Sequence, residues 1–549
     1  MKLRLNQKNL DFLLSNDIFV YPHSINVRII MSANHLHQLI KSLSAPEKGY
    51  IKKHAMLHVI GEQNKYIKIF DAIDKQKVYD EKEIIRKFKG EPTLNNFAVA
   101  KNYLFKFILK SLESYNNNVK SELRSALNQI EILYNKNLPT VAKKMILKSK
   151  ATALEHELYE FMEELIDWEI ILLVEEATPE NYLKLVNKYF EELYESIEKK
   201  KTIIGYKHLY QKLRAKALYT GLARNDEDVI EFQKIANEDK SNDKNLLNTF
   251  NAQYYRNLMQ ANFLFTINEQ GQANEILKKN VDLLDNNKHM LELKPFTYLG
   301  LLRNKAVNEL SLMLYSDLFN TLERMDRFVE KYGQLNRNYE LLTENLKLFV
   351  YIPTGQFDKA LGIANKVEKI YGQLPQTKTL QKEKQLHHYA LAYIYIGLGE
   401  YKLANQNINL LLHNTDLDFR SDLFCFAHIL SLIIYFEMDD EEMMEKRIRS
   451  TYRLLMKRNK LYNYEKQIIA FFKDTQNKVR TSSELTKDFV RLKNNIEELT
   501  TNKVERNALN LFDLISWLES KIEKKSFMEI KQKKFDQLMA NEASSAHMH

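Results

Sequence analysis

The sequence predicts an all-α protein built largely from stacked helical hairpins, on three observations. Its 549 residues include only 13 Gly and 8 Pro, too few turn formers for a sheet-rich chain of this length. Apolar residues recur at three- and four-residue steps through most of it, the period of a half-buried helix. Similar contact positions return at Ile276, Thr321, Ala360, Ala404 and Met443, at intervals of 45, 39, 44 and 39 residues. Spacing of that order marks a repeat array, in which each hairpin needs neighbours to bury its apolar side.

Residues 1–30 read as an N-terminal extension, where Tyr21-Pro22 and Ser24 interrupt regular structure. Residues 31–125 are expected to form a basic domain of short helices. Ser44 caps one, with Pro46 in its first turn, and that helix ends near Gly61. A second spans about 66–73, and a third is capped by Asp80 and closed by Gly90. Pro92 separates it from a long helix over about 95–114, whose stripe is Phe97, Ala100, Leu104, Ile108 and Leu112.

Long connecting helices are expected over 126–200, broken at Leu138-Pro139 and Thr178-Pro179, and the repeats over 201–475. Capping helices follow over 476–535. The last of them, 504–522, carries Leu509, Phe512, Ile515, Leu518 and Ile522 on one side. The polar tail 536–549 is expected to be disordered.

Charge is uneven. Residues 1–125 hold 21 Lys+Arg against 12 Asp+Glu, and residues 441–549 hold 22 against 16, while 126–440 hold 38 against 44. Basic ends on an acidic centre suit either an anionic partner or attraction between ends and centre. Cys425 is the only cysteine, so intrachain disulfides and thiolate clusters are excluded. The longest apolar run, Ile170 to Val174, falls far short of the roughly 20 residues that span a bilayer. A cytoplasmic location with no membrane partner is expected.

Two stretches carry a family resemblance. Gly399, Tyr401, Ala404, Ile408 and Leu411, preceded by His388, Leu391, Ala392 and Tyr395, resemble a tetratricopeptide (TPR) repeat, and Gly355-x-Phe357-x-x-Ala360 resembles a second. The resemblance implies a TPR-like α-solenoid whose first helices line a concave groove. Transferred to this sequence, the groove positions are Asn345 and Phe349, then Tyr389 and Tyr393, then His428 and Tyr435. Such rings suit apolar side chains of an extended peptide, with Asn345 and His428 bonding its backbone. The cations that clamp a C-terminal carboxylate in chaperone-binding members are missing. The implied role is a non-catalytic protein- or peptide-binding scaffold without a cofactor.

No phosphate loop, nucleophile elbow or zinc-protease motif occurs. His54-x-x-x-His58 places two imidazoles on one helix face with Glu62 a turn further, a chance-level metal pattern. His387-His388 is weaker, because His388 occupies a packing position. Ile396-Gly397-Leu398-Gly399 follows a helix rather than a strand, so its glycines are expected to be turn glycines. The alternative function comes from the basic domain. The third and fourth helices there have helix-turn-helix spacing, and Asn95, Asn102, Lys106 and Lys110 share one side of the longer helix. Amides read adenine edges and ammonium groups hold phosphate, so a nucleic-acid-binding regulator with partner-sensing repeats is the second expectation.

Overall fold

A computed structural model describes residues 34–57, 63–90, 96–115, 118–238, 248–332, 338–373, 378–413, 421–476, 480–502 and 505–546. Among them are 25 α-helices and no strand. The chain divides into two compact units, 1–116 and 117–549. The division falls nine residues before the one expected from sequence, because the helix beginning at Val119 packs with the second unit.

The first unit holds α1 (His35–Ser42), α2 (Ala45–Leu57), α3 (Gln63–Lys75), α4 (Glu81–Lys87) and α5 (Phe97–Tyr115). Helix α2 starts where Ser44 and Glu47 bond reciprocally: Glu47 N donates to Ser44 Oγ at 3.4 Å, and Ser44 N donates to Glu47 Oε2 at 2.7 Å. Helix α4 starts at Asp80, whose carboxylate accepts from Glu83 N at 3.1 Å. The stripe of α5 packs on α1, α2 and α3, and Phe97, Leu104 and Ile108 join Leu36, Ile40, Ile51, Phe70 and Ile73 in one core.

The second unit opens with α6 (Val119–Asn135), α7 (Pro139–Glu155), α8 (Met162–Glu176) and α9 (Pro179–Thr220), both prolines standing at the first helical position. Buried Lys150 on α7 pairs with Glu169 on α8 and, at 2.8 Å, with Glu192 on α9, tying three helices together. Helix α9 runs 42 residues, well past the boundary near 200 that the sequence suggested. Then come α10 (Asp226–Ala236), α11 (Phe250–Thr266), α12 (Gln270–Asp285), α13 (Lys288–Leu293), α14 (Pro295–Ser311) and α15 (Tyr315–Tyr332). They are followed by α16 (Asn338–Tyr351), α17 (Phe357–Gln373), α18 (Lys378–Gly397), α19 (Tyr401–Leu412), α20 (Ser421–Glu437) and α21 (Glu441–Lys457).

Five hairpins here share one turn, which also follows α6, α7 and α21 at Asn137, Glu157 and Asn459. Helices α11/α12, α14/α15, α16/α17, α18/α19 and α20/α21 are joined through left-handed residues Asn268, Met313, Gly355, Gly399 and Asp439. After each, a backbone N–H returns to the carbonyl five residues earlier at 2.8–3.1 Å, from Glu269, Leu314, Gln356, Glu400 and Asp440. This bond satisfies carbonyls that the helix end leaves without partners. Five residues beyond each left-handed residue stand Ala273, Leu318, Ala360, Ala404 and Met444, all buried. The sequence register was therefore right at Ala360 and Ala404. It was three residues late at Ile276 and Thr321 and one early at Met443. Gly397 is no turn residue but ends α18, where a side chain would strike the Phe357 ring.

Helices α22 (Asn463–Gln476), α23 (Ser482–Leu499), α24 (Leu514–Glu523) and α25 (Phe527–Ala546) complete the unit. The expected helix 504–522 is instead a 3-10 turn over Glu505–Asn510 followed by α24. Asp513 divides them, its carboxylate accepting from Ser516 N at 3.0 Å as the cap of α24. The expected disordered tail is helical as far as Ala546. Glu542 accepts from the backbone N–H groups of Tyr315 and Ser316 at 2.9 and 3.1 Å, and Phe535 stacks edge-on to Tyr315. No helix among the described residues is long and apolar enough to cross a membrane.

Candidate binding surface

Counted back from the left-handed residue, the groove positions named from sequence lie ten and six residues before the turn in two hairpins. They are Asn345 and Phe349 on α16, and Tyr389 and Tyr393 on α18. On α14 the same positions hold Arg303 and Val307, and on α20 Ile429 and Ile433. His428 and Tyr435 are therefore out of register, one residue before Ile429 and two residues after Ile433.

The row is open at one end and covered at the other. Arg303 is exposed, Asn345 half-buried, and Phe349 39% exposed. The Asn345 amide donates to Tyr371 Oη at 3.3 Å. Tyr389 and Tyr393 are only 4% and 7% exposed, because the chain's own C-terminal segment lies on them. Tyr389 Oη donates to Leu511 O at 3.1 Å, and Tyr393 Oη accepts from Asp513 N at 3.1 Å. Phe512 and Phe527 pack on the Tyr393 ring with centroids 4.8 and 6.1 Å away. Burial would raise the Asp513 carboxyl, but the Lys531 ammonium at 2.7 Å and nearby Lys534 hold it well below the usual range. These two tyrosines are core residues in this structure, not an open groove.

His428 and Tyr435 are also interior. The His428 ring meets Phe424 edge-on at 5.2 Å, and neither ring nitrogen has a hydrogen-bond partner. Burial, with Arg447 and Arg458 nearby, brings it down to about 4, so it is neutral near pH 7. His387 is likewise buried without a partner, against Tyr371, and burial beside His388 brings it down to about 4.

A polar cleft that sequence reasoning missed opens where α10 meets α22 and α23. Its volume is about 650 Å3, and its walls include Arg224, Asn225, Asp226, Asn463, Gln467, Asn495, Glu498, Asn502 and Glu505. At its floor the buried Arg224 guanidinium donates to both Glu465 carboxylate oxygens at 3.1 and 3.3 Å, and Glu505 lies 3.7 Å away. The Tyr462 ring covers the guanidinium at 4.7 Å. Burial works against both charges, and the pairing keeps Arg224 protonated. The turn carrying Arg224 is fixed locally: Asp228 accepts from Arg224 N at 2.8 Å, and Asn225 caps α10 through Asp228 N at 2.7 Å. Across the wall, Asn495 Nδ2 donates to Gln467 Oε1 at 3.2 Å. Five amides line this cleft, and four of their oxygens already accept within the chain: Asn225 from Asp228 N, Asn463 from Lys466 Nζ, Gln467 from Asn495 Nδ2 and Asn502 from Glu505 N. An amide oxygen has a second lone pair, so the set can still meet a peptide backbone. Asp226, Glu498 and Glu505 against Arg224 make it net acidic.

In the first unit, Lys106 and Lys110 are exposed on α5 and Asn102 is half-buried, its Oδ1 without a partner. Asn95 lies outside the described residues, as do His58 and Glu62. His54 Nδ1 instead bonds Ser111 Oγ at 3.0 Å, and no group of three metal-ligating side chains occurs among the described residues. No family model matches the chain, and no curated protein matches it.

Proposed function

We propose that the five like-turned hairpins form a TPR-like α-solenoid, and that the protein is a non-catalytic, cytoplasmic scaffold binding a protein partner through an extended peptide segment. The recurrent left-handed turn supports the repeat reading, and the amide-lined cleft carries the binding reading. Its volume lies within the range of about 300–1,000 Å3 typical of ligand sites. Its carboxylate excess selects a segment bearing Lys, Arg or a free amine. Phe349, exposed on α16 beside the half-buried Asn345, offers a second contact to the same partner.

Panning random peptides against the full chain tests this. Basic sequences should be enriched on the wild type, and the enrichment should vanish with Gln467→Ala/Asn495→Ala. Equal enrichment on both proteins would refute the assignment of the cleft. The second reading, nucleic-acid binding by the first unit, is favoured by one observation, the exposure of Lys106 and Lys110 one turn apart on a unit with excess positive charge.

A further inference from the structure

The floor of the amide cleft holds more negative charge than its one guanidinium balances. The side chains of Arg224, Glu465 and Glu505 are 7%, 4% and 13% exposed, so two carboxylates close on one buried cation. Their bonding is unequal. Arg224 Nη2 serves Glu465, while Arg224 Nε is buried without a hydrogen-bond partner among the described residues. Glu505 Oε2 is likewise buried and unbonded, because its 3.7 Å from Arg224 Nη2 is too long for a hydrogen bond. Buried polar atoms are nearly always bonded, so a donor and an acceptor left over together point to a ligand. Other orphaned atoms, Glu309 Oε2 and Asn308 Oδ1 among them, belong to side chains that do not line the cleft, whereas Arg224 and Glu505 do.

Taking the cleft as the peptide site argued above, we propose that it captures the free amino terminus of the partner. The α-ammonium binds Glu505, with exposed Asp226 and Glu498 lining the same cleft, and the first carbonyl oxygen accepts from Arg224 Nε. Glu505 Oε2 gives up no hydrogen bond in turning to the ligand. An amino terminus sets a cation and an acceptor side by side, its nitrogen and its carbonyl joined through one Cα. A lysine ammonium ends a long apolar stem, and a guanidinium carries donors only. Neither brings an acceptor, so either would leave Nε unbonded. A carboxyl terminus is excluded by sign, since it would face Glu465 and Glu505 across a guanidinium that is already paired.

Short random peptides on the full chain test this, one pool with free amino termini and one acetylated, both amidated at the other end. The free pool should be retained. Acetylation should cut retention by about tenfold or more, the loss expected of one charge-assisted hydrogen bond. Glu505→Gln should cause a similar drop for the free pool with the unfolding midpoint little changed, because Glu505 Oε2 has no hydrogen bond to lose. Glu498→Gln, at an exposed position, should weaken the free pool alone and replaces the first variant if that one fails to fold. Suppose both pools are held equally by the wild type and both are lost with Gln467→Ala/Asn495→Ala. The cleft then takes peptides by another part, and the terminus proposal falls while the peptide reading stands. An acetylated pool retained through enriched lysines, or a free pool indifferent to Glu505→Gln, also overturns the proposal. Retention of neither pool overturns both readings.

Discussion

Replacing Gly355 and Gly399 by alanine, one at a time, should separate the cost of a left-handed turn from the cost of displacing the C-terminal helix. Both glycines sit at positive φ, +71° and +76°, in equivalent turns. An L-residue there costs about 1–2 kcal/mol, and that is the whole penalty at Gly399, where a Cβ would meet nothing within 4 Å. At Gly355 the added Cβ would stand 2.8 Å from Lys531 Cβ and 2.9 Å from the backbone N of Gln532. Neither atom is the end of a flexible chain, so α25 itself must shift. The shift would loosen the bond from Gln532 Nε2 to Gly355 O, now 3.1 Å, and the grip of Glu542 on Tyr315 and Ser316. Overpacking of this kind adds about 1–3 kcal/mol. Urea unfolding should therefore show Gly355→Ala less stable than Gly399→Ala by that margin. Hydrogen exchange should be faster along 527–546 in the first variant only. Equal stability and equal exchange would mean that α25 does not dock on this turn.

The buried histidines give a pH dependence. Folded values near 4 for His387 and His428 lie below the unfolded value of 6.5, so their contribution is complete above pH 6.5 and is lost as pH falls toward 4. Between pH 7 and 5 the loss should be about 2 kcal/mol per ring, measured by urea unfolding, and His387→Leu/His428→Leu should flatten that slope. Tyr389→Ala/Tyr393→Ala should lower the unfolding midpoint sharply, since truncating a buried ring costs about 3–5 kcal/mol; an unchanged midpoint would return these rings to the surface. The full chain should bind duplex DNA with steep salt dependence only if the alternative function holds. In that case Lys106→Glu/Lys110→Glu should remove the binding, and an absence of binding at low salt would eliminate the alternative.

What could be read from sequence followed how local the cause was. Ser44, Asp80, Pro139 and Pro179 act within one turn of themselves, and each starts a helix where expected. Gly355 and Gly399 announced their turns because glycine is the usual left-handed residue. Asn268, Met313 and Asp439 make the same turn without that signal, and there the register slipped. Asp513 could be read either as a solvent-facing charge inside a helix or as the cap that interrupts it, and only the neighbouring Ser516 and Lys531 decide.

The covered tyrosines and the cleft had no local signal. Tyr389 and Leu511 are 122 residues apart, and Arg224 and Glu465 are 241 apart. An aromatic at a groove position is equally compatible with a foreign peptide and with the chain's own return, since both supply apolar surface and a backbone hydrogen bond. Here the return supplies them: Leu511 gives the carbonyl, Asp513 the N–H, and Phe512 and Phe527 the rings. The surface left for a partner is then whatever the C-terminal segment does not reach, which is Arg303, Asn345 and Phe349 at one end of the row and the amide cleft beside α22. An external peptide competing for Tyr389 and Tyr393 would have to replace two hydrogen bonds and a four-ring cluster already made within the chain, at the added cost of association. A peptide entering the cleft would leave those contacts intact, and under the proposed function that asymmetry makes the cleft, rather than the tyrosine row, the place to test for a partner.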